Sequence, residues 1–119
     1  MVTWNNLDKL ASYQELKDTA RVNLAEVMSG ENGAARVKNY SIPMAAGFTY
    51  NYAAKAVDDK VLTALVKLAD EAQLAEKFKE LYNGAVINTG ENRLVLHQLT
   101  RGQLGDAVKA DGVDKRAFY

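Results

Sequence analysis

"DDKVLTALVKLADEAQLAEKFKELYNG", Asp58 to Gly84, decides how this chain is read. Val61, Leu65, Leu68 and Ala72 are spaced four, three and four residues apart, the period of one helical face. Leu62, Val66 and Ala69 widen the stripe, and Asp58 or Asp59 can supply the N-cap. A second helix follows with Leu74, Phe78 and Leu81 as its expected buried face. Asn83-Gly84 provides a left-handed stop. With almost no loop between them, the two helices are expected to form an angled pair.

Upstream lies "YSIPMAAGFTYNY", Tyr40 to Tyr52. Tyr40, Ile42, Phe48, Tyr50 and Tyr52 are bulky or aromatic at alternating positions, which is the period of a strand. "PMAAG" can turn the chain, so a short β-hairpin is expected, with the donor-less Pro43 at a strand end or edge. The first thirty residues read as two short helices. Asn5 or Asn6 can cap the first, with Leu7, Leu10 and Ala11 on its apolar face. "SYQE", Ser12 to Glu15, either forms a capping box or lies inside the continuing helix. The second helix runs from about Asp18 to Met28, offering Val22, Leu24, Val27 and Met28 to the core. "SGENG", from Ser29, reads as a loop because of its two glycines.

Downstream, in "AVINTGENRLVLHQLTR", Asn88 and Glu91 have the spacing of a capping box, which predicts a third helix. On that helix Val95, Leu96 and Leu99 share one side, and Arg93, His97 and Arg101 the other. In the tail "DAVKADGVDKRAFY", Asp111-Gly112 suggests a second tight turn and a further small hairpin. The fold class expected is α+β, mostly α-helical with one short β-hairpin, in a single domain over residues 1–119.

The composition narrows the function. The 119 residues are 48% hydrophobic and carry 15 basic and 15 acidic side chains, so charge gives no case for nucleic acid or an anionic membrane. Absence of cysteine excludes disulfides, thiolate nucleophiles and Cys-based zinc sites. "MVTWNNLDKL" has no apolar signal core, and no apolar run approaches the roughly 20 residues that span a bilayer, so a soluble cytoplasmic protein is expected.

Few constellations suggest chemistry. The stripe Arg93, His97, Arg101 could grip a phosphate or carboxylate, or could be a helix face that pairs with acids elsewhere. His97 is the only histidine and has no cysteine or second histidine to join it at a metal; its ordinary reading is a partly buried, hydrogen-bonded side chain. Ser12, Ser29 and Ser41 have nothing to place them beside His97 as a triad. "SGENGAA" lacks the lysine and Ser/Thr of a phosphate loop. Tyr40, Tyr50 and Tyr52 lack the basic surround of a base-stacking platform and read as core or interface. The acids in "DD" and "DEA" read as solvated caps. From the residues alone the chain offers a fold and no reaction.

The segment from Tyr50 to Arg101 resembles the N-terminal part of the phosphoglucose isomerase (glucose-6-phosphate isomerase) family. There, an Asp-Tyr-Ser-Lys strand end precedes a Thr-Glu-capped helix, "LxxLA", a helix ending in Phe-Ser-Gly or Phe-Asn-Gly, and "TENRAVLHxALR". The order and spacing match, most specifically in "INTGENRLVLH", Ile87 to His97. "MVTWNNLDKLASYQELKDTARVNLAEVM" resembles the family's opening helices, "VKNYSIPMAAGFTYNYA" occupies the place of its hairpin, and the tail that of "PILVDGKDVMPEV". Asn51 and Ala54 stand where the family favours aspartate and lysine, Asp58-Asp59 where it has Thr-Glu, and Gly90 is a further departure.

The resemblance implies the N-terminal portion of a larger SIS-type α/β isomerase that interconverts glucose 6-phosphate and fructose 6-phosphate in glycolysis and gluconeogenesis. It implies no metal or organic cofactor, the remainder of the isomerase chain as partner, a homodimer for the full enzyme and a cytoplasmic setting. The family's phosphate-binding segments, catalytic glutamate, ring-opening histidine and late lysine have no counterpart here. The isolated chain is therefore expected to be inactive, with no catalytic residue of its own. Arg93 and His97, together with Glu91, are expected to support a pocket made elsewhere. The alternative is a non-catalytic small helical protein-interaction module.

Overall fold

In the computed structural model, which describes residues 2–101 and 106–118, the decisive stretch forms both of its expected helices. About half of the chain is helical, and the rest includes short antiparallel strand pairs, the α+β class its patterning predicts. Among the described residues there are three hairpins: the one expected around Pro43, the further one suggested at Asp111-Gly112, and an unexpected one at β3–β4. Contacts divide the chain into two compact units, Asp8–Leu68 and a second made of the segment up to Leu7 with the chain from Ala69 onward.

The first unit contains α1 (Ala11–Asp18), α2 (Leu24–Val27) and α3 (Gly30–Asn39). Ser12 is buried within α1, whose N-cap is Leu10, so "SYQE" lies inside the helix rather than at its start. The helix expected from Asp18 to Met28 shrinks to α2. The loop expected at "SGENG" is instead the beginning of α3. Gly33 explains the difference: it is buried in that helix, and a Cβ there would run into the Met28 carbonyl. The glycine serves a close backbone approach rather than a flexible loop.

Strands β1 (Ser41–Pro43) and β2 (Thr49–Asn51) pair antiparallel, with Ile42 opposite Tyr50 and Pro43 opposite Thr49. At the root of this hairpin the rings of Tyr40 and Tyr52 lie 5.1 Å apart. Helix α4 (Asp59–Glu71) begins at an aspartate cap: Val61 N–H donates to Asp58 Oδ1 at 2.8 Å. Ala64, outside the expected stripe, is its buried side chain, while Leu65 and Val66 are exposed. Lys67 of α4 is tied to Glu15 of α1 at 2.7 Å.

In the second unit, Ala72 and Gln73 separate α4 from α5 (Leu74–Tyr82), and Gln73 takes a left-handed φ of 54°. The side-chain oxygen of Gln73 accepts from Thr3 N–H at 2.8 Å, and Lys77 lies 5.0 Å from the Trp4 ring centroid. These two contacts hold the N-terminal segment on the start of α5. The helix stops as its sequence predicts: Gly84 has φ 81°, Gly84 N–H donates to Leu81 O and Ala85 N–H to Glu80 O, the paired bonds of a Schellman cap. A Cβ on Gly84 would strike Val108, the largest fully buried side chain among the described residues. Of the expected buried face of α5, Leu81 is half-buried, while Leu74 and Phe78 are both 59% exposed.

The third helix expected between Asn88 and Arg101 does not form. The chain makes β3 (Val86–Asn88), a turn, β4 (Arg93–Leu94) and a 3-10 turn at His97–Arg101. At the tail, β5 (Lys109–Ala110) pairs with β6 (Val113–Asp114) through Asp111 and Gly112, whose φ values of 53° and 75° are those of a type I′ turn. A last short helix, α6 (Lys115–Phe118), follows; Tyr119 lies outside the described residues.

Candidate functional site

Glu91 and Arg93 sit at the β3–β4 turn. One bond expected of a helix cap is present, with Glu91 N–H donating to Asn88 Oδ1 at 3.2 Å, while Glu91 Oε2 accepts from the Asn88 side-chain Nδ2 at 3.1 Å. They close a hairpin turn instead of starting a helix, because the same side-chain-to-backbone bond stabilises Asx-type turns. Asn92 at φ 52° reverses the chain within that turn. Arg93 Nη1 then lies 3.7 Å from Glu91 Oε2. With side chains 74% and 61% exposed, this pair is screened by water and contributes little stability.

His97 is exposed and begins the 3-10 turn, which Thr100 braces by donating from Oγ1 to the His97 carbonyl at 2.8 Å. With Leu94, Leu96 and Thr100 it lines a shallow depression of about 280 Å³. Neither Arg93 nor Arg101 lines that depression. A spacing of four residues gathers side chains on one face only in an α-helix; here Arg93 is in a strand and the others lie on a 3-10 turn of three residues per turn. The arginine–histidine–arginine stripe is therefore not assembled. His97 is not the partly buried histidine its ordinary reading suggested. Among the described residues no group of three or more His, Cys, Asp or Glu side chains could hold a metal ion.

Sequence reasoning passed over two buried cations. Arg36 of α3 is 7% exposed. Its Nε donates to Ala53 O at 2.7 Å, and its Nη2 to Lys55 O at 2.9 Å and Val57 O at 2.5 Å. The guanidinium stands 4.1 Å from the Tyr40 ring centroid. One side chain thus fixes the segment that joins the β1–β2 hairpin to α4, using the fork of donors that arginine carries. The signal is the helical spacing of Gly33, Arg36 and Tyr40, which the two glycines of "SGENG" mask by their loop-like composition. Arg116 plays a similar part: also 7% exposed, it donates from Nε to Asp106 O at 2.7 Å. Asn51, where an aspartate resemblance failed, uses its amide in both directions: it donates to Val37 O at 2.7 Å and accepts from Ala53 N–H at 3.0 Å.

The polar groups of these side chains hold backbone, and Arg36 also lines a shallow depression of about 290 Å³ with Val27, Asn32, Ala35, Asn39 and Tyr40. The comparisons agree with the resemblance in "INTGENRLVLH" and carry it further along the chain. The phosphoglucose isomerase family model matches residues 51–117, and the chain belongs to that family. It is 51% identical over 121 residues to the glucose-6-phosphate isomerase of Treponema denticola, covering 98% of this chain and 23% of that protein. It is 38% identical to the glucose-6-phosphate isomerase of Borrelia garinii subsp. bavariensis, covering all of this chain and 22% of that protein. The crystal structure of a glucose-6-phosphate isomerase from Chlamydia trachomatis superposes with a TM-score of 0.68 at 30% identity, over 96% of this chain and 22% of that one. The chain therefore spans less than a quarter of the relatives it matches, in their N-terminal part. Among the described residues no helix is long and apolar enough to cross a membrane.

Proposed function

We propose that this chain is the N-terminal brace of a cytoplasmic, homodimeric glucose-6-phosphate isomerase, and that it shapes the protein around the sugar-phosphate pocket without entering the reaction. The observation that carries this reading is the 51% identity to the Treponema denticola isomerase over nearly the whole chain. Interconverting glucose 6-phosphate and fructose 6-phosphate moves a proton between adjacent carbons. That step needs a base with a tuned pKa within hydrogen-bond reach of the sugar. Glu91 is engaged with Asn88 and faces water, and among the described residues that line the depression of His97 no other is titratable. These groups, with Arg93, fit a supporting role: they fix the β3–β4 turn and the 3-10 turn after it. Base, phosphate site and ring-opening group then belong to the remainder of the isomerase chain.

The test is a chimera in which this chain replaces the matched segment of the Treponema denticola isomerase. It is expected to turn over glucose 6-phosphate within about tenfold of the parent, while the isolated chain shows no turnover above buffer. Turnover by the isolated chain, or a folded chimera that has lost activity, would overturn the reading.

A further inference from the structure

In three places an asparagine or aspartate precedes a glycine: Asn32-Gly33, Asn83-Gly84 and Asp111-Gly112. Such pairs are open to an intramolecular reaction, because glycine leaves its own amide nitrogen unhindered beside the preceding side-chain carbonyl. In an unstructured chain asparagine reacts faster than aspartate, since an amide is the readier group to displace at neutral pH. The fold reverses that order. Gly33 N–H donates to Ser29 O and Gly84 N–H to Leu81 O, both at 3.2 Å, so each nitrogen is held within a helix or its cap. Each peptide unit is also hemmed in, Gly33 by the Met28 carbonyl and Gly84 by Val108. At Asp111-Gly112 neither restraint is present. Both residues are exposed, Gly112 N–H makes no hydrogen bond among the described residues, and open space surrounds the position of a Cβ on Gly112. Asp111 itself holds φ 53°, a left-handed conformation that costs an L side chain energy.

We propose that Asp111 is a site of spontaneous isoaspartate formation, and that the β5–β6 turn ages ahead of the two Asn-Gly steps. The Gly112 nitrogen attacks Asp111 Cγ and loses its proton, and one carboxyl oxygen departs as water. The product is a five-membered succinimide. Water then opens that ring. Cleavage of the Cγ–N bond restores aspartate. Cleavage of the bond from the main-chain carbonyl carbon to nitrogen leaves isoaspartate, with the backbone now running through Cβ. One water leaves and one returns, so the mass is unchanged and no reactant but water enters. The extra backbone carbon lengthens a loop of two residues, and a type I′ turn cannot take that insertion and keep its register. The hairpin positions buried groups at both of its ends. Val108 is 1% exposed, and its carbonyl accepts from Lys115 N–H at 2.8 Å. Arg116, also buried, donates its N–H to Asp114 Oδ1 at 3.0 Å. Isomerisation therefore also loosens the packing of Val108 against Gly84 at the end of α5.

The test ages the 119-residue chain in warm neutral buffer, folded and, in parallel, in guanidinium chloride. Each site is read by peptide mass spectrometry with fragmentation that separates isoaspartate from aspartate. In the folded chain isoaspartate is expected at Asp111 while Asn32 and Asn83 keep their amides. In denaturant the order is expected to reverse, with both asparagines several-fold ahead of Asp111. Asp111→Glu keeps the charge, but its ring would have six members and closes far more slowly. Its thermal midpoint is expected to hold over an ageing period in which that of the unsubstituted chain falls by several degrees. Loss of the amide at Asn32 or Asn83 ahead of Asp111 in the folded chain, or no isoaspartate at Asp111, would overturn the inference. So would the same order in denaturant, or midpoints that age alike in the two proteins.

Discussion

Replacing Arg36 by methionine removes the guanidinium and keeps most of the apolar stem. The buried Ala53 carbonyl loses its donor in a residue only 2% exposed, at a cost of about 1–3 kcal/mol for an orphaned buried acceptor. The bonds to Lys55 and Val57 lie nearer solvent, where water can replace them, so their loss adds about 1 kcal/mol. Loss of the stack on Tyr40 adds about 0.5–1 kcal/mol, and methionine regains a little packing. The expected total is about 2–4 kcal/mol, a fall in melting temperature on the order of 10 °C for a chain of this size. Arg36→Lys keeps the charge but cannot reach three carbonyls with one ammonium, so about half of that loss is expected. Urea unfolding of the isolated chain followed by circular dichroism gives the stability. Hydrogen exchange shows whether the amides of Lys55 and Val57, which bond to Tyr52 O and Lys55 O, lose protection. A loss under about 0.5 kcal/mol for Arg36→Met, or equal losses for Met and Lys, would refute the reasoning.

Substitutions at three further positions test local parts of the fold. Gly84→Ala forces a side chain into a left-handed position against Val108, and a loss of at least about 2 kcal/mol is expected by thermal unfolding. Asp58→Ala is expected to cost about 1 kcal/mol through loss of the cap on α4, with Asp58→Asn recovering most of it in the same assay. Asn51→Asp removes the donor to Val37 O while keeping the acceptor for Ala53 N–H, so a loss of about 0.5–1.5 kcal/mol is expected by urea titration.

What the amino-acid order makes legible here is local and strongly periodic. Helices α4 and α5 announce themselves by their apolar spacing, and their ends by Asp58 and by Asn83-Gly84. The hairpins at Pro43 and Asp111-Gly112 follow from alternation and turn chemistry. What stays hidden depends on partners distant in sequence, or on a bond with two uses. Gly33 looks like a breaker until Met28 is placed beside it. The bond from Glu91 N–H to Asn88 Oδ1 serves a hairpin turn as well as a helix cap, so spacing cannot separate them. With that helix lost, Arg93, His97 and Arg101 no longer share a face. Leu74 and Phe78 form an apolar face as their periodicity predicts, yet they remain exposed. Periodicity reports that a face is apolar, and not what will cover it.

On the proposal above, this segment braces an isomerase without taking part in its chemistry. The most direct test is kcat for glucose 6-phosphate in the chimera carrying His97→Asn, which removes the chain's only imidazole. A change smaller than about tenfold with an unchanged pH profile is expected. A fall of about 100-fold or more in kcat at an unchanged melting temperature, the size of a lost general acid or base, would contradict it.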